Sequence, residues 1–281
     1  MSTKITWNRS KNILLCIDSD GCAMDTMDVK HKKCFGPQMI ECYGLEEHRT
    51  AVQTIWDRIN LYSHTRGINR FLGLVATLRE IENTGLCKVK KPYDRLSAWT
   101  QTSKQLSNPA LEAEVNKEND PQLALALQWS RQVNQAIAAL PEDHGAYPGV
   151  SSALENLSRW ADLAVVSSAN SEALQSEWQR CELDSYVQAL LGQECGSKAF
   201  CIAELLRLGG YDKTAVLMVG DAPGDLKAAE VNGVGFYPIL VGREEFSWQR
   251  LCEEAIGKLT DGQFLGAYQA ELKQEFLRNL S

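Results

Sequence analysis

The sequence predicts an α/β protein: a parallel sheet alternating with helices, interrupted early by a long helical segment. Three observations carry this expectation. Two short apolar runs, Ile13-Leu14-Leu15-Cys16-Ile17 and Ala215-Val216-Leu217-Met218-Val219, each stop at an acidic turn. From residue 150 to 241, helix-like and strand-like stretches take turns. Residues 23–149, by contrast, carry mostly helical patterns punctuated by proline.

The first apolar run has the length and composition of a buried strand. Asp18 and Asp20 follow it two residues apart, and positions i and i+2 of a strand share a side. Gly21 then permits a sharp turn without a Cβ penalty. Two converging carboxylates repel unless a proton or a cation is shared between them. The pair therefore points to divalent-metal chemistry, one Asp as nucleophile and the other as proton donor and acceptor. An ordinary Asp-Ser-Gly turn is the plainer reading. A calcium-binding EF-hand loop fails, because Cys22 and Ala23 occupy its fifth and sixth positions.

The gap from Asp20 to the next strand-like run at Ala164 far exceeds the needs of one crossover, so a segment is inserted. Within it, Asn69–Ile81 repeats apolar residues at helical intervals, and so does Pro121–Leu140, with Pro121 at a first-turn position after Asp120. Pro92, Pro109 and Pro141 break the pattern. Ahead of the first of these helices, His64–Arg70 is a Gly-hinged polar stretch. Its Arg66 and Arg70 are candidates for binding an anionic substrate bidentately, unless they are simply solvated.

The chain returns near Tyr147-Pro148-Gly149-Val150, with a helix to about Arg159 and a strand over 162–167. Ser167 ends that strand, with Ser168 as the rival hydroxyl beside it. Strands are expected near 186–191, 215–220 and Gly235–Val241, which makes the core parallel, Rossmann-like and three-layered. Residues 246–280 read as one or two helices that pack on the core or on a neighbouring subunit. After the strand at 215–220, Asp221 stands at its end and Asp225 near the first turn of a helix. Ligands of open α/β sheets bind beyond the carboxyl ends of the strands. Asp18, Asp20, Asp221 and Asp225 could thus meet around Mg²⁺, which favours a few carboxylates plus substrate phosphate. Helix N-capping is the plainer role for Asp221 and Asp225.

These positions together resemble the haloacid dehalogenase superfamily of phosphohydrolases and phosphotransferases. Asp18-Ser19-Asp20-Gly21 matches its first motif, Ala164-Val165-Val166-Ser167 its second, Lys198 after Gly196 and Ser197 its third, and Gly220 through Asp225 its fourth. Met24-Asp25-Thr26 also fits the continuation of the first motif, while Cys22 stands where Thr or Val is usual. The resemblance implies a core of residues 1–22 and 150–281 with an α-helical cap of 23–149 that closes over the site and selects substrate. It implies that Asp18 attacks phosphorus to give an aspartyl-phosphate and that Asp20 serves the leaving group and then the water. Ser167 and Lys198 would hold and neutralise the phosphoryl group. Mg²⁺ would rest on Asp18, the backbone carbonyl at Asp20 and Asp221, with Asp225 orienting a bound water or supporting the cluster. True dehalogenases of the family lack the second Asp, so Asp20 favours phosphoryl transfer. The sugar-phosphate mutases place His where this chain has Lys30, which lowers that alternative. A phosphonatase, which needs an imine-forming cap lysine, and a non-catalytic binding protein of the same fold are the remaining alternatives.

Composition narrows the partners. A net charge of −7 and a pI near 5.3 speak against a nucleic-acid groove. No apolar stretch approaches the ~20 residues of a membrane span, and Met1–Trp7 lacks an apolar signal core. Nine cysteines without a C-x-x-C pair fit reduced thiols in the cytoplasm. The expectation is a Mg²⁺-dependent phosphohydrolase for a small phosphorylated metabolite.

Overall fold

A computed structural model describes residues 5–141 and 144–280. Met1–Lys4, the start of the stretch read for a signal core, lie outside them. The chain divides into two compact units, Met1–Thr26 with Asp143–Ser281, and Met27–Glu142.

The first unit is built on a five-stranded parallel sheet: β1 (Ile13–Ile17), β2 (Ala161–Val166), β3 (Ala189–Leu191), β4 (Val216–Gly220) and β5 (Gly235–Pro238), in the order β3-β2-β1-β4-β5. β1 is central, with Ile17 aligned to Val165 on one side and Val219 on the other. Strand alternation sorts the apolar side chains into two cores. Ile13, Leu15, Ile17, Leu163, Val165, Leu217 and Val219 face one. Leu14, Cys16, Ala164, Val166, Val216 and Met218 face the other. Burial on both faces explains why these strands read as continuous apolar runs. Helices Val150–Leu157 and Ser171–Arg180 and the segment Glu244–Thr260 cover the first face. Helices Lys198–Gly209 and Pro223–Asn232 cover the second. The last helix, Ala267–Asn279, gives Leu272 to one core and Phe276 to the other, the latter edge-on to Phe236 of β5.

The strands ending in the acidic turns and at Ser167 are found where the apolar runs place them, those expected near 186–191 and Gly235–Val241 are shorter, at Ala189–Leu191 and Gly235–Pro238, and the expected C-terminal helices are present. Glu244–Thr260 is one helical stretch with a π-turn at Leu251–Ala255. Residues on both sides of the insertion are stitched together. Met24 bridges to Ala146, Asp25 N–H donates to Gly145 O at 2.9 Å, and Tyr147 N–H to Ala23 O at 3.0 Å.

In the second unit the described elements are helical: helices Met27–Lys30, Gly36–Tyr43, Arg49–Asn60, Arg70–Asn83, Asp94–Thr102, Asn108–Glu118 and Pro121–Ala138, joined by loops. A π-turn at His31–Phe35 joins the first two. Asp120 caps the last, accepting from the N–H groups of Gln122 and Leu123 at 2.8 and 3.2 Å. Its core centres on Trp129, whose ring lies 6.1–6.3 Å from those of Trp56, Phe35 and Phe71. All four are buried.

Candidate active site

Asp18 leaves the end of β1 still tied to the sheet, its N–H donating to Val219 O at 2.9 Å. The next residues close a tight loop around Ser19. The Ser19 N–H donates to Asp18 Oδ1 at 2.7 Å, and the Ser19 carbonyl accepts from the N–H groups of Cys22, Ala23 and Met24. Gly21 supplies the required left-handed residue at φ +79°. One carboxylate is thereby oriented by the backbone that follows it.

Three carboxylates gather at this edge. Asp18, Asp221 and Asp225 each offer an oxygen within 4.8 Å of the others, and all three are buried. Asp221 follows the last residue of β4, and Asp225 stands in the first turn of the next helix. Gly220 makes room for this: a Cβ there would lie 2.4 Å from the Asp225 carboxyl carbon. Asp225 Oδ2 accepts from the Ala222 N–H at 3.1 Å, so the residue closes its own helix start while its other oxygen faces the cluster.

Lys198 is the cation among them. It opens the helix capped by Ser197, whose hydroxyl accepts from Phe200 N–H at 3.2 Å. Its Nζ lies 2.6 Å from Asp18 Oδ2 and 2.6 Å from Asp225 Oδ1. Burial pushes the Asp18 carboxyl up to about 7, with Lys198 opposing that shift and Asp225 adding to it. Burial likewise raises Asp225, again against the pull of Lys198. Burial alone would lower the lysine, but the charges of Asp18 and Asp225 outweigh it and hold the ammonium charged. Three carboxylates against one ammonium leave a net charge of minus two when all are ionised. Like charges 4.8 Å apart repel by about 3 kcal/mol at an effective dielectric near 20. A hard divalent cation with oxygen ligands answers that imbalance, so the donor set suits Mg²⁺.

Asp20 is not part of this carboxylate group. Its Oδ1 accepts from the Thr26 hydroxyl at 2.5 Å, and Thr26 is buried. Ser167 ends β2 at the same edge of the sheet, with its N–H bound to Leu191 O and its Oγ accepting from Ala169 N–H at 3.1 Å. Of the two adjacent serines, Ser167 is buried and Ser168 exposed. Cys22 donates weakly to Val219 O at 3.6 Å, and burial, reinforced by Asp221, Asp18 and Asp225, keeps its thiol protonated.

The two arginines singled out in the sequence are engaged inside the helical unit. Arg66, only 2% exposed, donates to Leu61 O at 2.8 Å. Arg70 lies over the Phe35 ring and donates to Ser130 Oγ at 3.0 Å and Asn134 Oδ1 at 2.6 Å. Both guanidinium groups thus have internal bonds to serve. What the sequence reading lacked was Ser19 as the hub of the loop and Thr26 as the partner of Asp20. Thr26 was marked by its place in the first motif's continuation, whereas Ser19 carried no signal.

The family model for "haloacid dehalogenase-like hydrolase" matches residues 88–239, more than half of the chain, so this protein belongs to that family. The matched span takes in Ser167, Lys198, Asp221 and Asp225; Asp18 and Asp20 precede it. No curated protein matches the sequence. A candidate phosphoglycolate phosphatase of known structure from Lactobacillus delbrueckii subsp. bulgaricus is 16% identical, with a TM-score of 0.52 over 92% of this chain and 100% of that one. At that identity the likeness concerns the fold. A haloacid dehalogenase-like family hydrolase from Streptococcus pneumoniae is 16% identical over 84% of this chain and 90% of that one, with a TM-score of 0.48. The L-2-haloacid dehalogenase from Xanthobacter autotrophicus is 15% identical over 93% and 86%, with a TM-score of 0.43.

Proposed function

From its place among the haloacid dehalogenase-like hydrolases, we propose that this protein is a Mg²⁺-dependent phosphohydrolase that cleaves a small phosphorylated metabolite through an aspartyl-phosphate. One observation carries the reading: Asp18, Asp221 and Asp225 converge within 4.8 Å, and Lys198 binds Asp18 and Asp225 at 2.6 Å each. Asp18, Asp221 and Asp225, with the Asp20 carbonyl, would hold the ion; when bound it draws off the negative charge that develops on phosphorus.

The remaining work falls to the chain's own groups. Asp18 is the nucleophile, with Oδ1 oriented by the Ser19 N–H and Oδ2 beside Lys198. Lys198, next to Oδ2, neutralises both the carboxylate and the incoming phosphoryl oxygens. Asp20 protonates the leaving alkoxide and then takes a proton from the water that opens the acyl-phosphate. Its bond from Thr26 orients the carboxyl for that exchange. Ser167 supplies a hydroxyl to a phosphoryl oxygen. The catalytic set is therefore Asp18, Asp20, Ser167 and Lys198. The nine free cysteines fit a reducing, cytoplasmic setting, and among the described residues no helix is long and apolar enough to cross a membrane.

The test is phosphate release from a panel of sugar and nucleotide monophosphates and phosphonoacetaldehyde, with and without Mg²⁺, in wild type and Asp18→Asn. Monoester turnover that needs both Mg²⁺ and Asp18 supports the proposal. Release from phosphonoacetaldehyde alone, or turnover surviving Asp18→Asn, would refute it.

A further inference from the structure

Two tryptophan indoles hold the loop that carries Asp18 and Asp20, and they come from two different helices of the sheet unit. Trp178 Nε1–H donates to Ser19 Oγ at 3.0 Å, and Trp248 Nε1–H donates to the Cys22 carbonyl at 3.0 Å; both indoles are fully buried. Ser19 and Cys22 are the residues on which the loop turns, since Cys22 N–H itself donates to Ser19 O at 3.2 Å. Water cannot replace either indole bond at zero exposure, so each acceptor has its partner only while the ring stays in place.

The indoles are themselves fixed. Trp178 lies in Ser171–Arg180, whose first residue is tied to Glu194 through its N–H at 2.9 Å and its hydroxyl at 2.5 Å. Trp248 follows Ser247, whose carbonyl accepts from Tyr237 OH at 2.6 Å and whose hydroxyl accepts from Leu240 N–H at 3.0 Å. Ser247, beside Trp248, is thereby tied to β5 through Tyr237, and the helix of Trp178 to the turn that follows β3. Trp248 also lies beyond the 88–239 span matched by the family model.

We infer that Trp178 and Trp248 are positioning residues: their indole N–H groups hold the Ser19–Cys22 turn, and through it the Asp18 carboxylate that the Ser19 N–H orients. The catalytic part of this inference rests on the phosphohydrolase reading above; the loop-clamping part does not. Small displacements of a reacting group are costly, of the order of 10²-fold for ~1 Å.

Trp178→Phe and Trp248→Phe keep most of the ring volume and delete the N–H. Hydrogen–deuterium exchange over residues 17–26 is the first readout, because the Cys22, Ala23 and Met24 amides all donate to Ser19 O. Exchange there is expected to rise about 10-fold or more, with the rest of the sheet unit unchanged. With p-nitrophenyl phosphate as probe, kcat is expected to fall about 10- to 100-fold with KM within about threefold. Trp160→Phe, at a 63% exposed ring, is the control that leaves both readouts at wild-type values. Should Trp178→Phe fail to fold, Ser19→Ala removes the same bond from the other side and must give the same local rise. Wild-type exchange in residues 17–26 of the folded variants overturns the inference. A wild-type enzyme without turnover defeats the phosphohydrolase reading and leaves the exchange result to decide the clamp.

Discussion

Replacing Lys198 with Met removes the ammonium bonded to the buried Asp18 and Asp225 carboxylates while keeping a long, flexible side chain. Lys198 is 13% exposed, against 8% for Asp18 and 0% for Asp225 as side chains, so solvent screens these contacts weakly. At 2.6 Å and an effective dielectric near 20, each contact is worth about 6 kcal/mol before desolvation. Relief of the lysine's own burial cost, and protonation of Asp18, return much of that. The net destabilisation expected without metal is about 3–5 kcal/mol, the usual cost of stripping one partner from a buried ion pair. Guanidinium unfolding of wild type and Lys198→Met with EDTA measures it directly. Added Mg²⁺ should recover part of the loss, because the variant's cluster carries one more uncompensated negative charge and binding to the folded state raises stability by mass action. The expected loss of kcat is about 10²–10³-fold. A destabilisation below about 1 kcal/mol would refute the claim that this lysine balances the cluster.

Three further outcomes follow from named contacts. Thr26→Val removes the donor to Asp20 and should lower kcat about 10-fold with KM little changed, read from steady-state kinetics. Trp129→Ala, at a fully buried ring whose N–H donates to Phe35 O at 3.3 Å, should destabilise the helical unit by about 3–5 kcal/mol, measured by denaturant midpoint. Asp162 supplies a pH dependence. Burial opposes its ionisation, but donation from Ser10, Tyr211 and the Ser10 and Lys11 amides prevails and holds its carboxyl below the usual range. A depressed folded pKa adds stability that is complete above the ordinary carboxylate value near 4 and disappears as pH falls through the lowered one. Urea midpoints between pH 2 and 6 should therefore fall more steeply toward acid in wild type than in Asp162→Asn; parallel curves would exclude Asp162 as the source.

The strands at 13–17, 161–166 and 216–220 were legible because local pattern is enough to mark them: strands buried on both faces need unbroken apolar runs, and the carboxylates fall at their ends. Lys198 was legible for a similar local reason, following a capping serine at a helix start. Arg66 and Arg70 show what packing adds to local reading. Spacing marks two cations ahead of a helix, and the folded unit adds bonds from Arg66 to Leu61 and from Arg70 to Ser130 and Asn134.

The sequence by itself determined the alternation of strands and helices, the insertion, and which acidic residues end strands, because those follow from periodicity and from residues adjacent in the chain. Tertiary structure alone decided that Ser167 rather than Ser168 is buried, that Asp20 answers to Thr26 while the other three Asp residues cluster, and that two indoles hold the loop between Asp18 and Cys22. The physical reason is distance along the chain. Trp178 meets Ser19 across 159 residues and Trp248 meets Cys22 across 226, and no local rule of spacing reports a hydrogen bond that only the packed sheet brings within 3.0 Å.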